Sequence, residues 1–268
     1  MLLNTHGLLG PGLGKRSHSR PPVAASAPAP PGSPLHWFDF SDLTQLFQDE
    51  LQATPVTANG QEILSITNKG TSSEFMSIEA EGPVYNDTGI PTLNTGAATF
   101  DAAASLKTVI SDVVSGTWEH YSSAIVVSSE NVEAFAAAVD WDTFESSWAT
   151  AGSDNMAWYT QNTEPVSGTT GLVNDTFYSF LATNDDEVAP EASVVQQSHS
   201  TSVVNADTEL ADGPAAGDIL SFGEASASEG SQFAGHIVEW ITWDAILSAG
   251  EIADYKTYVT AKYGIAWA

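Results

Sequence analysis

The chain contains no cysteine, few basic residues and no long apolar run. Without cysteine it has neither a disulfide framework nor a thiolate metal site, and the redox compartment is left open. No run of about twenty apolar residues occurs, so we predict no transmembrane helix. Only 7 Lys and Arg stand against 34 Asp and Glu, which gives a net charge of −27 and argues against nucleic acid as a partner.

Short catalytic and metal-binding motifs are missing as well. The six histidines show neither His-x-His nor His-x-x-x-His spacing, so no zinc site is predicted. No P-loop and no Gly-x-Ser-x-Gly pattern occurs. With 42% hydrophobic residues, the 268-residue chain can bury a sizeable core, and we predict one domain, residues 35–268, preceded by an arm, residues 1–34.

The predicted arm differs from the rest of the chain in charge and composition. Residues 1–20 contain no Asp or Glu and carry a charge of +3, which leaves about −30 on the remainder. Residues 21–34 hold six of the thirteen prolines, which is typical of an extended, polyproline-like spacer. The first apolar runs are too short, and the positive charges too late, for a Sec signal peptide.

An apolar and basic arm on an acidic body suits docking into a groove of another subunit. The alternative is a disordered leader without a function. The candidate anchoring residues are Leu8, Leu9, Leu13, Lys15, Arg16 and Arg20.

The remaining residues carry the pattern of many short strands. Aromatic and β-branched clusters recur about every eight to twelve residues, separated by turn signals such as Asn59-Gly60, and this spacing predicts an all-β sandwich. The Ala-rich stretch from Asn131 to Val139 predicts a short helix or a loop.

The end of the chain predicts a core strand followed by one helix. Residues 233–244 are dense in β-branched and aromatic side chains, as expected of a strand that is apolar on both faces. Ser248 and Glu251 have the spacing of a capping box. Gly264 stands where a left-handed C-terminal cap is needed. The apolar stripe of this helix is Ile252, Tyr255, Val259 and Tyr263.

Residues at both ends of the predicted domain carry a family resemblance. Near the start they are Trp37-Phe-Asp-Phe-Ser-Asp42, Pro55-Val-Thr with Asn59-Gly60, and Pro91-Thr-Leu93 ahead of Ala98-Thr-Phe100-Asp101. Near the end they are Ile219-Leu-Ser-Phe-Gly223, Phe233-Ala-Gly235, Ile237-Val-Glu239, Leu247-Ser-x-x-Glu251 and Tyr263-Gly264. They resemble a laminin-G-like or concanavalin A-like jelly-roll domain of the kind found in bacteriophage virion proteins. The Gly/Leu-rich start, followed by Lys15-Arg16, resembles the start of many phage structural proteins.

The resemblance implies sugar binding or, as in some relatives, glycoside cleavage by two carboxylates. One tight carboxylate cluster exists, Asp140-Trp-Asp142-Thr-Phe-Glu145, which resembles the Glu-x-Asp-x-x-Glu strand motif of endoglucanases. Its first position is Asp instead of Glu, and in a regular strand Glu145 lies on the opposite face from Asp140 and Asp142 unless a bulge intervenes. We therefore predict an acidic surface loop and a protein that is not an enzyme.

Two acidic groups are candidates for bound Ca²⁺, which prefers hard oxygen ligands. The first is the run Asn184-Asp185-Asp186-Glu187, and the second is the pair Asp39 and Asp42. Such runs also arise by chance in so acidic a chain, so no metal or other cofactor is assigned.

The eight tryptophans divide into core and contact candidates. Trp240 and Trp243 fall on opposite faces of one strand and, with Trp37, are predicted to lie in the core. Trp148, Trp158 and Tyr159 lie in loop-like sequence and are predicted to stack on a sugar or on a neighbouring subunit.

Together these features predict a structural virion protein, either a head decoration or spike subunit or a tail component. The arm would dock on other virion proteins, the lectin-like body would bind host surface glycans, and self-association into a homo-oligomer would strengthen attachment. The alternative is a secreted bacterial protein that binds or cleaves a polysaccharide.

Overall fold

The computed structural model describes residues 29–267 except 79–80, 88–92, 94, 102, 110–119, 132–134, 142–145, 152–155, 161–163, 168–170, 186–191, 207–218 and 225–231. The six candidate anchoring residues, Leu8, Leu9, Leu13, Lys15, Arg16 and Arg20, therefore lie outside the described residues, as do Asp142, Glu145, Asp186 and Glu187.

The described residues form 17 strands, a short 3-10 helix and one α-helix. In chain order the strands are β1 His36–Asp39, β2 Leu46–Phe47, β3 Ser65–Thr67, β4 Phe75–Ile78, β5 Val84–Asn86, β6 Ala97–Phe100, β7 Leu106–Val109, β8 His120–Ser129, β9 Phe135–Trp141, β10 Ser146–Ala151, β11 Met156–Thr160, β12 Glu164–Ser167, β13 Tyr178–Asp185, β14 Ala192–Gln197, β15 Ser200–Ala206, β16 Ile219–Phe222 and β17 Gly235–Trp243. The 3-10 helix is Leu43–Gln45, and the α-helix, α1, is Ala249–Tyr263.

The strands form two antiparallel sheets. Sheet A has the order β15-β14-β13-β8-β17-β6-β5, and β1 also pairs with β17. Sheet B has the order β12-β11-β10-β9-β16-β7-β4-β3-β2. The predicted all-β sandwich with a short C-terminal helix is confirmed.

The main core lies between the two sheets. Aromatic rings fill it: Phe222 packs edge-on against both Phe38 and Trp240, with ring centroids 5.7 and 5.6 Å apart. All three side chains are buried. Such edge-to-face contacts add a small favourable energy to the large apolar area that each ring buries.

Of the Ala-rich stretch from Asn131 to Val139, predicted as a helix or a loop, residues 135–139 are instead part of strand β9, and residues 132–134 lie outside the described residues. Strand β9 pairs with β10, and Ala137, Ala138 and Val139 are buried. The prediction was wrong because alanine favours a helix in isolation, whereas pairing and burial in a sheet outweigh that local preference.

Helix α1 covers the outer face of sheet A and begins and ends as predicted. The Ser248 Oγ accepts from the Glu251 backbone N–H, and the Glu251 carboxylate accepts from the Ser248 backbone N–H at 2.9 Å. Gly264 caps the other end at φ 76°, a left-handed conformation that glycine adopts without strain. The buried residues of the helix are Tyr255, Tyr258, Val259 and Tyr263. Among the described residues, no helix is both long enough and apolar enough to cross a membrane.

Strand β17 contains a bulge that shapes both sides of sheet A. On β8, Val127 pairs with Ile237 and Val126 pairs with Glu239, so Val238 is the extra residue. The predicted core positions of Trp240 and Trp243 are confirmed on opposite faces of the sheet: Trp240 packs in the core between the sheets and Trp243 under α1. The bulge leaves Glu239 on the helix side, within hydrogen-bonding distance of Tyr258.

The last described residues of the predicted arm lie against the domain. The Pro31 carbonyl accepts a 2.8 Å hydrogen bond from the Trp243 indole N–H, and the Pro34 carbonyl accepts one of 3.0 Å from the Thr71 backbone N–H. These contacts bring residues 29–34 past α1 towards the start of β1.

Candidate functional site

A polar pocket opens on the helix side of sheet A, beside the start of the described chain. Its volume is about 410 Å³, and the lining residues that matter chemically are Trp37, Asp39, Asp42, Thr44, Lys69 and Lys262. Two of the four lysines in residues 35–268 line this one pocket. A concave site with a few convergent polar groups is the usual form of a small-ligand site.

The charged side chains of this region form an alternating network, which we call the ionic cluster: Asp42, Lys69, Asp39, Lys262 and Glu239. The Lys69 Nζ lies 2.9 Å from the Asp39 Oδ2 and 3.0 Å from the Asp42 Oδ2. The Lys262 Nζ lies 2.7 Å from the same Asp39 oxygen and 2.9 Å from the Glu239 Oε1. Each lysine therefore bridges two carboxylates.

Strand alternation brings Trp37 and Asp39 to the pocket. Phe38 and Phe40 point into the main core, so Trp37 and Asp39, which alternate with them, point to the helix side. The Trp37 indole N–H donates to the Glu239 Oε1 at 2.6 Å, which ties β1 to the bulged part of β17.

A tight loop carries Lys69 to the same place. The Asn68 Oδ1 accepts from the Trp37 backbone N–H at 2.7 Å and from the Gly70 backbone N–H at 2.8 Å. The Lys69 backbone N–H donates to the Trp37 carbonyl at 2.9 Å. The ammonium group of Lys69 then lies 4.1 Å from the centroid of the Trp37 ring, a cation–π distance.

Lys262 comes from the last turn of α1, where a positive charge also interacts favourably with the helix dipole. Its ammonium group donates to the Tyr258 hydroxyl at 2.8 Å, in addition to Asp39 and Glu239. Three acceptors use all three of its N–H groups.

Burial and charge act in opposite directions on the cluster. Burial alone would raise the pKa of Asp39, but Lys262 and Lys69 outweigh it and hold the pKa below its usual value of 3.8. For Lys69, burial lowers the pKa, and Asp39 and Asp42 more than compensate, so it is raised. Burial raises the pKa of Glu239, and Lys262 does not offset it. Asp39 and Lys69 are therefore charged at neutral pH, and Glu239 is the carboxylate that ionises least readily.

Asp42 and Lys69 are the members of the ionic cluster that are accessible enough to contact a ligand. The side chains of Asp42 and Lys69 are 31% and 21% exposed, whereas that of Asp39 is 2% exposed. The Asp42 Oδ1 accepts from the Thr44 backbone N–H and hydroxyl, which fixes the carboxylate at the start of the 3-10 helix. The pocket thus presents an oriented carboxylate and an ammonium group beside each other.

The predicted Ca²⁺ pair Asp39 and Asp42 is instead bridged by the Lys69 ammonium group. A cation of the protein itself occupies the position between the two carboxylates, so the pair does not offer Ca²⁺ a site. In the other candidate run, Asn184 is buried and the Asp185 Oδ1 lies 3.2 Å from the His120 Nδ1. Among the described residues, no three His, Cys, Asp or Glu side chains are grouped so as to hold a metal ion.

Trp148 is not a surface contact residue. It lies in β10, is fully buried in the main core, and donates from its indole N–H to the Ser123 Oγ at 3.0 Å. Trp158 and Tyr159 lie in β11, where their Cα partners are Trp148 and Ser147; their side chains are outside the described part of the structure. The three aromatic residues predicted to contact a sugar therefore belong to paired strands and not to a loop.

Sequence reasoning missed three members of the ionic cluster, Lys69, Lys262 and Glu239. One usable signal was present: Glu239 interrupts an otherwise apolar strand, which marks a buried charge in need of a partner. The scarcity of lysine in so acidic a chain was a second signal.

A second set of polar side chains crosses sheet B. Ser77, Lys107, Ser221 and Asp140 are successive Cα partners on β4, β7, β16 and β9. Their strand neighbour Phe222 points into the main core, so this row lies on the face away from it. Within the row Lys107 pairs with Glu224 at 2.7 Å, and Asp140, at the end of the row, is buried. Asp140 is the first residue of the predicted carboxylate motif.

No protein-family model matches the chain, and no curated protein matches it in sequence. Its fold class is nevertheless shared with solved structures of carbohydrate-active proteins. A mutant GH54 α-L-arabinofuranosidase soaked with 4-nitrophenyl α-L-arabinofuranoside is similar with a TM-score of 0.60 and 10% identity, over 87% of this chain and 64% of that chain. Domain 4 of AbnA, a GH43 extracellular arabinanase from Geobacillus stearothermophilus in complex with arabinotriose, has a TM-score of 0.54 and 14% identity, over 83% of this chain and 98% of that one.

The chain spans less than two thirds of the arabinofuranosidase structure. At such low identity the similarity concerns the fold, a β-sandwich consistent with the expected concanavalin A-like class. The comparison bears on two sequence-based predictions, that the protein is not an enzyme and that it is a virion protein. The prediction that the protein is not an enzyme is contradicted, because the similar folds include glycoside hydrolases. Neither of these structures is a phage protein, so the comparison gives the virion assignment no support.

Proposed function

We propose that this protein is a carbohydrate-active β-sandwich that binds a sugar in the pocket beside the ionic cluster. The observation that carries the proposal is the pairing of a partly exposed carboxylate and a partly exposed ammonium group, Asp42 and Lys69, at the mouth of a pocket of about 410 Å³. A sugar hydroxyl can donate to the first group and accept from the second. The β-sandwich fold shared with an α-L-arabinofuranosidase and with a domain of an arabinanase supports the same class of ligand.

The binding test compares two lysine variants. Lys69→Met removes the ammonium group at the pocket, and Lys256→Met is its control, since Lys256 lies on α1, does not line the pocket and contacts the Trp267 ring at 5.0 Å. The probes are arabinotriose and a glycan array, followed by titration calorimetry. A lost hydrogen bond to a charged group is worth about 1.5–3 kcal/mol, so Lys69→Met should weaken binding about ten- to a hundredfold.

Lys256→Met should bind as the unmodified protein does, and thermal unfolding should show that both variants are folded. Binding that survives Lys69→Met unchanged would place the ligand elsewhere. Failure of the unmodified protein to bind any glycan on the array would refute the proposed function.

Glycoside cleavage on sheet B is a second candidate function. The observation that favours it is the polar row across β4, β7, β16 and β9, which ends in Asp140 with Glu224 following β16. Hydrolysis of a glycosidic bond requires two carboxylates. Release of 4-nitrophenol from 4-nitrophenyl α-L-arabinofuranoside should be abolished by Asp140→Asn and by Glu224→Gln, and kept in Lys69→Met. Absence of release by the unmodified protein would count against this second function and leave sugar binding intact.

The virion role remains a sequence-based prediction. It depends on the arm, whose anchoring residues are outside the described part of the chain, and on a homo-oligomer and virion partners that await a test. A pull-down onto phage particles with the whole chain and with a chain lacking residues 1–34 tests it directly: retention of only the whole chain is the result that this role requires.

A further inference from the structure

We propose that the pocket selects neutral sugars and rejects acidic ones such as uronates. This inference rests on the proposed function, since it concerns the ligand class of the same site. It follows from the balance of charge around the pocket and from the hydrogen bonds that the ionic cluster has already formed.

The charges that line the pocket cancel. Asp39 and Asp42 face Lys69 and Lys262, and each lysine lies within 3.0 Å of two carboxylate oxygens. Behind them Glu239 is buried against Lys262, so no surplus positive charge stands in the wall. A sugar carboxylate would therefore enter without a counter-ion and would pay its desolvation cost uncompensated.

The donors of the pocket are committed to the protein itself. Lys262 donates to Asp39, Glu239 and Tyr258. Lys69 donates to Asp39 and Asp42, and its ammonium group also rests on the Trp37 ring. Two of the three N–H groups of Lys69 are thus in use, so an anion could accept one hydrogen bond from the third and would gain a second only by displacing Asp42.

A neutral sugar avoids that exchange. Each hydroxyl group both donates and accepts, so one hydroxyl can donate to a lone pair of Asp42 while its neighbour accepts from the third N–H of Lys69, and no charge is left without a partner. The Asp42 Oδ2 accepts from Lys69 alone among the described contacts, and its side chain is the most exposed of the cluster. The Lys69–Asp42 pair stays intact in this arrangement.

The charge of the whole protein acts in the same direction. A net charge of −27 repels anions approaching any part of the surface. Salt screens this repulsion over a distance of about 8–10 Å. Weak binding of an acidic sugar should therefore strengthen with added salt, whereas binding of a neutral sugar should be nearly independent of it.

The test uses sugars that differ only in charge. Glycan-array and calorimetric binding are compared for galactose- and galacturonate-based oligosaccharides, for the corresponding glucose and glucuronate pair, and for arabinotriose. The unmodified protein should bind the neutral member at least tenfold more tightly than its uronate. Asp42→Asn removes one negative charge from the pocket and should raise the ratio of uronate to neutral affinity at least tenfold.

Asp185→Asn is the matched control for Asp42→Asn. Asp185 is 29% exposed, pairs with His120 on sheet A, and its replacement changes the net charge of the protein by the same amount. Asp185→Asn should leave the ratio of uronate to neutral affinity unchanged. This result would distinguish the effect of the charge in the pocket from the effect of the net charge of the protein.

The outcomes separate the two proposals. Equal or tighter binding of uronates by the unmodified protein overturns the neutral-sugar inference and leaves sugar binding standing. An affinity ratio that Asp42→Asn does not shift, or that Asp185→Asn shifts equally, also overturns it. If no glycan of either charge binds, the proposed function fails and the inference fails with it. The affinities of the unmodified protein for neutral sugars and for uronates test the neutral-sugar inference even if a variant does not fold.

Discussion

Replacing Lys262 by Met should reveal how much the ionic cluster matters to stability. The Lys262 side chain is 10% exposed, and its partners Asp39 and Glu239 are almost completely buried. Removing one partner of a buried ion pair usually costs about 3–5 kcal/mol, because the other charge stays buried without compensation. Asp39 keeps Lys69, and Glu239 keeps the Trp37 indole N–H, so we expect a loss near 3 kcal/mol.

The loss is measurable by urea unfolding followed by circular dichroism and by calorimetry. For a domain of this size, 1 kcal/mol corresponds to about 2–4 °C, so the melting temperature should fall by about 6–12 °C. Lys256→Met is the control on the same helix, since Lys256 contacts only the Trp267 ring, at 5.0 Å, among the contacts described. It should cost less than about 1 kcal/mol.

The pH dependence gives a second, independent check. The pKa of Asp39 is lowered, so its contribution to stability is present above about its unfolded value of 3.8 and is lost as the pH falls through the folded pKa. Glu239 has a raised pKa, so its contribution is present below its unfolded value of 4.5 and is lost as the pH rises through the folded pKa. Lys262 lowers the pKa of both carboxylates, so its removal costs most at neutral pH, where their ionised forms need a cation, and costs less as the carboxylates take up protons in acid.

A loss below about 1 kcal/mol at pH 7 would refute the reasoning, as would a loss that does not shrink in acid. Combining Lys262→Met with Asp39→Asn and Glu239→Gln should recover part of the loss, because no carboxylate is then left without a cation.

Three further predictions concern the scaffold. Gly223→Ala should destabilise the protein by more than about 1 kcal/mol, because φ is +88° there and an added Cβ would collide with the Ala104 carbonyl. Gly250→Ala, in α1, should stabilise the protein by about 0.5–1 kcal/mol, because the nearest atom to an added Cβ is the Ser248 Oγ at 3.9 Å, an ordinary contact distance. Urea unfolding compares the two variants. Trp148→Ala should cost about 3–5 kcal/mol by the same assay, since it leaves a cavity in the core. Ser248→Ala should lower the melting temperature by about 2–4 °C through loss of the helix cap, measured by calorimetry.

Strand β17 and helix α1 were predictable because their signals are local. An apolar segment with aromatic residues on both faces requires cover on both sides, and the structure supplies the other sheet on one side and α1 on the other. The capping box and Gly264 mark the helix ends within a few residues. Such signals need no knowledge of which segments meet in space.

The pocket was not predictable in the same way, because its parts meet only through tertiary pairing. Trp37 and Glu239 are 202 positions apart, and a bulge of one residue decides that Glu239 faces the helix. Trp148 was misplaced for a related reason. Serine and threonine around it hide the alternation of β10, and its burial depends on the register with β9.

Burying so many charges in one place is a poor way to gain stability, since an apolar replacement of the whole cluster would hold sheet and helix together about as well. We therefore expect the two lysines to have different roles, one in folding and one in ligand binding. Lys262 has three acceptors and almost no exposed surface, so its removal should affect folding. Lys69 is the more exposed and stands at the mouth of the pocket, so its removal should affect ligand affinity far more than stability. Equal effects of both variants on stability, with none on binding, would make the cluster a structural joint between β1 and α1 and move the search for a ligand to sheet B.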